Sequence, residues 1–236
     1  MRLDKEIFLR ELSNSRKEAQ DLILNNKVFV NTVLVNKPAK DVTEKDIILI
    51  TEKRKFVSRG GEKLEDALNH VTLDVSNITA LDIGSSTGGF TDCLIQKGVK
   101  GVVSVDVGSN QFSQTLRNNS KIKLFENTDI RNFKTETEFN LIVCDVSFIS
   151  LALIFPEIKR LSQKNTLVLL LVKPQFEVGK GNTKKGIVKD QSLYDIVIKN
   201  VCAKSKEFDV EMIEIFPSSI KGGDGNKEFF FYGKVL

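Results

Sequence analysis

The sequence of 236 residues predicts an α/β domain with a mostly parallel sheet and helices on both faces, preceded by a smaller α+β domain. From residue 78 onward, short aliphatic runs alternate with helical stretches, as in layered α/β folds. Before residue 50, one helical stretch is followed by two short alternating runs, and a basic linker separates the two patterns. We therefore expect a first domain with its linker over 1–58 and a second domain over 59–236.

The composition predicts a globular protein without a membrane span. Hydrophobic residues make up 41% of the chain, which suffices for one substantial core and a small second one. The longest uninterrupted apolar run, Leu167 to Val172, is far shorter than the roughly 20 residues that cross a bilayer. The amino terminus lacks the apolar core of a signal peptide, so we expect a cytoplasmic protein without stable membrane association.

Cysteine and histidine are scarce, which restricts the possible chemistry. Cys93, Cys144 and Cys202 form no C-x-x-C pair and are odd in number, as suits a reducing compartment. The single histidine, His70, leaves no basis for a multi-histidine metal site. We therefore expect no metal and favour chemistry performed by lysine and carboxylate groups, while the oligomeric state stays unknown.

Positive charge is concentrated in the amino-terminal quarter. The net charge is +4, and residues 1–60 hold 13 lysines and arginines against 9 acids, whereas the remainder holds 22 of each. This local excess favours a polyanionic partner such as RNA, although solubility explains an excess of four about as often. The candidate RNA-binding residues are Arg2, Arg16, Lys17, Lys53, Arg54, Lys55 and Arg59.

The segment "NSRKEAQDLILNNKVFVN" predicts a helix, a turn and a hairpin. Ser15 and Glu18 have capping-box spacing, so a helix begins at Ser15. Asn25 and Asn26 can end this helix, because asparagine tolerates the left-handed conformation. The alternation in "KVFVNTVLV" then predicts two strands around a turn at Asn31 and Thr32.

In the second domain, six aliphatic runs predict the strands of the sheet: "ITALDIG", "GVVSVDVG", "FNLIVCDVSFI", "TLVLLLVKP", "DVEMIEIF" and "KEFFFYGKVL". Ligands of such sheets bind beyond the carboxyl ends of the strands. Four ionisable residues close apolar runs, so we expect their side chains to project towards one rim of the sheet: Asp82, Asp106, Asp145 and Lys173.

A glycine-rich loop in "LDIGSSTGGFTDCLIQKG" joins a predicted strand to a helix and predicts a cofactor site. The loop lacks the G-x-G-x-x-G spacing of dinucleotide folds, and Phe90 stands where a phosphate-binding P-loop needs lysine. Asp82 would repel a phosphate but suits a ligand with an ammonium or sulfonium group, which favours S-adenosylmethionine. The candidate cofactor-binding residues here are Asp82, Gly84, Ser85, Ser86, Thr87, Gly88, Gly89 and Phe90.

Two further acids are candidates for the same cofactor. Asp106 follows Gly84 by 22 residues, near the spacing at which an acid binds ribose hydroxyls in these folds. Asp129 in "ENTDIRNF" is a candidate acceptor for an adenine amino group. For both residues, a surface cap is the alternative.

Four polar residues at the edges of apolar segments are the candidate catalytic group: Lys63, Asp145, Lys173 and Glu228. Two lysines at one rim would lower each other's proton affinity, so one could be neutral near physiological pH. A neutral lysine can accept the proton of a ribose 2'-hydroxyl during attack on a sulfonium methyl group. The alternatives are a snorkelling charge for Lys173, a solvated helix position for Lys63, and a pair between Glu228 and a neighbouring lysine.

The motifs together resemble known families. "RLDKEIFLRELSNSRKEAQDLILNNKVFVN" resembles the S4-type RNA-binding domain over about residues 1–50. The Lys-Asp-Lys-Glu order resembles the tetrad of FtsJ-like ribose 2'-O-methyltransferases, with matching motifs in "SRGGEKL", "LDIGSSTGGFTDCL", "CDVSFISL", "LVKPQFE" and "SSIKGGDGNKEF". In combination the chain resembles the TlyA (haemolysin A) family of ribosomal RNA methyltransferases. The resemblance implies a Rossmann-like, S-adenosylmethionine-dependent methyltransferase domain after an S4-like RNA-binding domain.

The resemblance also implies roles and a substrate. It makes Lys173 the base, oriented by Asp145, with Lys63 and Glu228 completing the site. The implied target is a cytidine ribose in 23S ribosomal RNA, sometimes with a second in 16S ribosomal RNA, and the compact ends favour the former alone. The expected partner is therefore ribosomal RNA or a ribosomal subunit. The alternatives are a membrane-lytic haemolysin, an RNA-binding protein without transferase activity, and a methyltransferase for a small molecule.

Two further segments have simple interpretations. The glycine- and lysine-rich "EVGKGNTKKGIVKD" predicts a mobile substrate loop, whose lysines contact phosphates or keep the loop soluble. Phe229 to Phe231 are expected in a core strand rather than in a base-stacking surface.

Overall fold

The computed structural model describes residues 1–13, 15–51, 55–179, 181–222 and 225–236. The chain forms two compact units, Met1–Ser58 and Arg59–Leu236. Lys53 and Arg54, two of the predicted RNA-binding residues, lie outside the described residues.

The first unit packs two helices against a small antiparallel sheet. Its elements are α1 (Leu3–Leu9), α2 (Arg16–Leu24), β1 (Val28–Val30), β2 (Val33–Leu34) and β3 (Ile48–Ile50), with strand order β2-β1-β3. One small core of buried aliphatic side chains joins the helices to the sheet, with Leu3, Ile7 and Ile23 at its centre. This is the predicted α+β domain.

The local signals of this unit are confirmed. The Ser15 hydroxyl accepts the Glu18 N–H at 3.1 Å and caps α2, and Asn26 follows the helix at φ 60°. The hairpin turn places Asn31 at φ 48° and Thr32 at φ 71°, the two positive values that a type I' turn requires. The side chain of Asn31 accepts the Ile47 N–H at 2.8 Å, which holds the turn although threonine is unfavourable there.

A buried carboxylate organises the basic residues of the first unit. Asp4 has 0% exposure and accepts hydrogen bonds from Arg2, Arg16 and Gln20. Burial alone would raise the pKa of Asp4, but these bonds outweigh it and hold the pKa well below its usual range. Arg2 and Arg16, predicted to bind RNA, therefore have a structural task while their side chains remain about half exposed, at 47% and 48%.

The second unit is a seven-stranded, mostly parallel sheet between helices. The sheet order is β11-β12-β8-β7-β4-β5-β6, and β12 alone runs against its neighbours. The elements are α3 (Arg59–His70), β4 (Thr79–Ile83), α4 (Gly89–Gln96), β5 (Gly101–Val105), α5 (Gln114–Arg117), β6 (Ile122–Phe125), β7 (Leu141–Cys144), α6 (Phe155–Leu161), β8 (Leu167–Val172), α7 (Pro174–Glu177), β9 (Thr183–Lys184), β10 (Ile187–Val188), α8 (Ser192–Glu207), β11 (Val210–Pro217) and β12 (Phe229–Val235).

The sheet direction brings the predicted polar residues to one rim. Asp106, Asp145 and Lys173 each follow the carboxyl end of a parallel strand. Phe229 pairs with Val172 in the antiparallel register of β12 and β8, so Glu228 enters β12 at the same rim. The prediction that Asp82 projects from this rim is wrong, because Asp82 lies inside β4 with 0% exposure.

Two other predictions for the second unit concern the lysine-rich segment and Phe229 to Phe231. The segment predicted as a mobile substrate loop contains the antiparallel hairpin β9–β10, which its sequence did not indicate, and its mobility stays a prediction. Phe229, Phe230 and Phe231 are buried, as expected for a core strand. Throughout the described ranges, no helix combines the length and the apolarity that crossing a membrane requires.

We expect Asp4→Asn to destabilise the first unit by about 1–2 kcal/mol, because two guanidinium groups then face a neutral amide. The lowered pKa means that the contribution of Asp4 is present above the unfolded pKa near 4 and is lost as the pH falls. Amide hydrogen exchange of α1 and α2 at several pH values measures this. Glu44→Gln, at an exposed acid of the same unit, is the control, and an equal loss in both variants would contradict the prediction.

Candidate active site

The first pair of the candidate site joins α3 to the start of β12. Lys63 Nζ lies 2.6 Å from Glu228 Oε2, and the two residues are only 8% and 2% exposed. Burying either charge alone would be costly, whereas the pair offsets much of that cost. The alternative of a solvated Lys63 is therefore wrong, and the partner of Glu228 is Lys63 rather than a lysine of the last strand.

The second pair joins the ends of β7 and β8. Lys173 Nζ lies 2.5 Å from Asp145 Oδ1 and donates a hydrogen bond to the Ser147 hydroxyl at 2.9 Å. The side chain of Lys173 is only 11% exposed, which differs from a snorkelling surface charge. Because the two strands are parallel neighbours, their carboxyl ends bring Lys173 and its partners, Asp145 and Ser147, to the same edge of the sheet.

A cavity of about 490 Å³ opens beside Asp145 and Ser147 at the carboxyl ends of β4 and β5. Its size is within the range of small-molecule sites. Asp106, Asp129 and Asp145 supply its carboxylates, and Arg131 is the one basic residue among its described lining residues. Aliphatic side chains form much of the remaining wall. A ligand with a cationic group, hydroxyl groups and an apolar ring suits this lining.

The glycine loop forms one side of this cavity. Gly84 has φ +82°, and a Cβ there would lie 2.8 Å from the Asp145 carbonyl oxygen, so only glycine fits. Asp106 accepts the Ser86 N–H at 2.8 Å and the Gly108 N–H at 2.6 Å, which fixes the loop. Gly84, Ser86, Asp106 and Asp129 line the cavity, whereas the other predicted cofactor residues do not: Asp82, Ser85, Thr87, Gly88, Gly89 and Phe90.

Asp82 lies under the glycine loop rather than in the cavity wall. It accepts a hydrogen bond from Thr91 Oγ1 at 2.6 Å, and Thr91 Oγ1 lies 2.7 Å from Ser104 Oγ. Burial raises the pKa of Asp82 to about 7, the Thr91 bond opposes this, and nearby Asp145 adds to it. The carboxyl group therefore connects β4 to α4, the helix that follows the loop.

Asp129 has a partner that the sequence analysis did not predict. Arg131 donates hydrogen bonds to both oxygens of its carboxylate, one of them at 2.5 Å. These bonds lower the pKa of Asp129 to about 2. An adenine amino group at this position would therefore meet a carboxylate that is shared with Arg131.

Two more residues beside the site, Phe148 and Glu177, were not predicted from the sequence. Phe148 is 91% exposed at φ 64°, and its ring lies 5.0 Å from that of Phe176, which follows Lys173 by three residues. Glu177 accepts the Ser150 hydroxyl at 2.6 Å and the Leu151 N–H at 2.8 Å. Burial raises the pKa of Glu177. The segment after Asp145 is thus attached to α7, and no sequence pattern signalled this contact.

Asp82→Asn should reduce the pH dependence of stability. The pKa of Asp82 is about 7 in the folded protein and lies near 4 in the unfolded chain. The contribution of protonated Asp82 to the free energy of unfolding is therefore complete below pH 4 and is lost progressively as the pH rises from 4 to 7. Relative to wild type, the variant should gain about 1–4 kcal/mol between pH 4 and pH 8. Denaturant unfolding across this range measures the change. Asp195→Asn, at an exposed acid on α8, is the control; parallel curves for wild type and Asp82→Asn would contradict the assignment.

Comparison with known proteins identifies the family. The family model described as FtsJ-like methyltransferase matches residues 56–235, and the S4 domain model matches residues 1–48. Hemolysin A of Brachyspira hyodysenteriae is 39% identical over 97% of this chain and 98% of its own. The 23S rRNA (cytidine-2'-O)-methyltransferase TlyA of Campylobacter jejuni is 39% identical over 98% of both chains.

The structural comparison agrees with the sequence comparison. A solved hemolysin-type protein from Streptococcus thermophilus is 34% identical and superposes with a TM-score of 0.81 over 100% of this chain and 88% of its own. The match therefore includes both units and the whole sheet. The chain belongs to the FtsJ-like methyltransferase family and has an S4 domain in its amino-terminal part.

Proposed function

We propose that the chain transfers a methyl group from S-adenosylmethionine to the ribose 2'-oxygen of a cytidine in 23S ribosomal RNA. The observation that carries this proposal is the ion pair of Lys173 with Asp145 and its hydrogen bond to Ser147, because both of these partners also line the acidic cavity. A proton acceptor and a cofactor site thus share one rim. The name of the Campylobacter relative supports the choice of substrate.

The cavity suits S-adenosylmethionine. When bound, this cofactor supplies a methyl group on a positively charged sulfur, which takes the bonding electron pair as the methyl leaves. Asp106 has two carboxylate oxygens for ribose hydroxyls, Asp129 is available to the adenine amino group, and Asp145 adds negative charge near Lys173. Gly84 keeps the loop close to Asp145 without a side chain in between.

Lys173 acts as the base in this proposal. Its side-chain nitrogen accepts the proton from the 2'-hydroxyl as the bond from that oxygen to the methyl carbon forms. Asp145 and Ser147 hold the Lys173 nitrogen beside the cavity. The base is therefore already oriented before the transition state is reached, which lowers the entropic part of the barrier. The neutral state of one lysine near physiological pH stays a prediction, which a pH–rate profile can test.

Lys63 and Glu228 complete the site. Lys63 supplies a positive charge that stabilises the developing charge on the ribose oxygen. Glu228 holds this ammonium group at 2.6 Å and keeps it oriented inside the protein. The role of this pair is electrostatic, whereas Lys173 moves the proton.

The S4 domain and Phe148 serve the RNA substrate. The exposed guanidinium groups of Arg2 and Arg16 and the exposed ammonium group of Lys17 are available to phosphates. Lys55 in the linker and Arg59, the first residue of α3, are two further basic residues for phosphates, and Phe148 presents an exposed ring to an unpaired base beside the cavity. The partner is ribosomal RNA, alone or within a subunit, in the cytoplasm.

Lys173→Ala should lower kcat at least about 100-fold, because it removes the proposed acceptor of the hydroxyl proton. The assay follows labelled methyl groups from S-adenosylmethionine to ribosomal subunits that lack the modification, with nuclease digestion to locate a 2'-O-methyl nucleotide. Lys164→Ala, at an exposed lysine before the opposite end of β8, is the control and should retain activity. Label retained by the Lys173 variant would exclude this base. Absence of label with the native chain would favour an RNA-binding protein.

Phe148→Ala should raise the KM for ribosomal RNA about 5- to 150-fold, which corresponds to a lost stacking contact of about 1–3 kcal/mol. Binding of S-adenosylhomocysteine should be unchanged. Phe148→Tyr retains an aromatic face and should retain the wild-type KM. A similar KM for the alanine and tyrosine variants would show that the ring does not stack on a base.

A further inference from the structure

A buried asparagine beside the candidate active site binds the backbone of the β9–β10 hairpin. Asn226 is 2% exposed and stands two residues before Glu228. Its side-chain oxygen accepts the Val188 N–H at 3.1 Å, and its amide nitrogen donates to the Gly186 carbonyl at 2.8 Å. Both ends of one side chain are therefore used to hold this hairpin.

The same asparagine is itself tied to the site. Its carbonyl oxygen accepts the Gly222 N–H at 2.9 Å. Gly222 stands against the carboxylate, since a Cβ there would lie 2.5 Å from Glu228 Oε1. Asn226 thus lies between the hairpin and the Lys63–Glu228 pair.

The other end of the hairpin is attached near Lys173. The hairpin follows α7, the short helix that begins immediately after this lysine. Asn182 donates a side-chain hydrogen bond at 2.5 Å to the carbonyl of Val178, the C-cap residue that follows α7. The hairpin therefore bridges the strand end that carries Lys173 and the strand start that carries Glu228.

The hairpin presents cations at this position. Lys184, Lys185 and Lys189 are exposed, and in the described part of the chain none of them has a carboxylate partner within salt-bridge distance. The neighbouring acid, Asp190, accepts the N–H and the hydroxyl of Ser192 instead. Three cations on a fixed backbone suit a chain of phosphates better than an apolar partner.

We propose that Asn226 is a positioning residue that holds the β9–β10 hairpin so that its lysines bind RNA phosphates next to the catalytic pairs. This inference rests on the proposed function, because it names part of the RNA surface of the same site. Phosphate contacts here fix the register of the strand, so the target ribose meets Lys173. Free lysines that serve solubility only are the competing explanation.

The first test uses Lys184→Ala with Lys185→Ala in the full-length chain. The KM for ribosomal RNA should rise about tenfold with kcat little changed, and the salt dependence of RNA binding should become weaker by a slope of about 1–2. Lys123→Ala with Lys134→Ala is the matched control, since both lysines are exposed and Lys123 lies on β6, at the opposite edge of the sheet. Equal KM values and salt slopes for the two double variants would overturn the proposal.

The second test asks whether Asn226 acts through the lysines. Asn226→Ala should also raise the KM for RNA about tenfold while binding of S-adenosylhomocysteine is retained. Combining it with the Lys184 and Lys185 changes should add little beyond the larger single effect, because both act through one hairpin. Fully additive effects would assign Asn226 a separate, structural role and overturn this half of the proposal. If Asn226→Ala does not fold, the lysine pair still decides whether the hairpin binds RNA.

The outcomes also separate this inference from the proposed function. An active wild type whose KM and salt slope are unaffected by the lysine changes leaves the function intact and refutes the hairpin contact. A wild type that labels no ribosomal RNA refutes the function. In that case filter binding of ribosomal RNA by the same variants, with S-adenosylhomocysteine present, still measures the hairpin contact.

Discussion

The ion pair between Lys63 and Glu228 is the constraint on which the geometry of the second unit depends. Two opposite charges at 2.6 Å, both almost inaccessible to water, are tolerated only while they remain together. The pair fixes α3 to the start of β12, and β12 is fixed in turn by its register with β8. A shift of either element would leave a buried charge without a partner. The Lys63–Glu228 pair therefore stabilises the fold and also sets the geometry of the candidate site.

The antiparallel direction of β12 brings the Lys63–Glu228 pair to the rim of the sheet where ligands bind. In a purely parallel sheet, only carboxyl ends reach the rim where ligands bind. Because β12 runs antiparallel to β8, its amino-terminal side delivers Glu228 beside the strand end that carries Lys173. Two lysines from distant parts of the chain thus reach one rim, each with its own carboxylate. The Lys173 pair touches the cavity, while the Lys63 pair is held deeper in the protein.

Features that depend on neighbouring residues along the chain were predictable, and features that depend on the third dimension were less so. Capping at Ser15, the aliphatic strands and the polar residues at strand ends follow from local pattern and from sheet direction. Asp82 was misplaced because the end of an apolar run does not tell whether its last polar side chain points inward. The β9–β10 hairpin was not predicted, because a segment rich in glycine and lysine has no strand pattern. Its backbone is stabilised by Asn226, which lies 38 residues away in sequence.

Charge along the rim separates the two ligands of the proposed reaction. The cavity presents three carboxylates, and its described basic residue, Arg131, is paired with Asp129. Such a lining attracts a cationic cofactor and repels the phosphates of RNA. The β9–β10 hairpin, with Lys184, Lys185 and Lys189, has the opposite preference. In the proposed reaction, the hairpin cations therefore hold the RNA phosphates outside the acidic cavity, so the RNA and the cofactor occupy separate places along the rim.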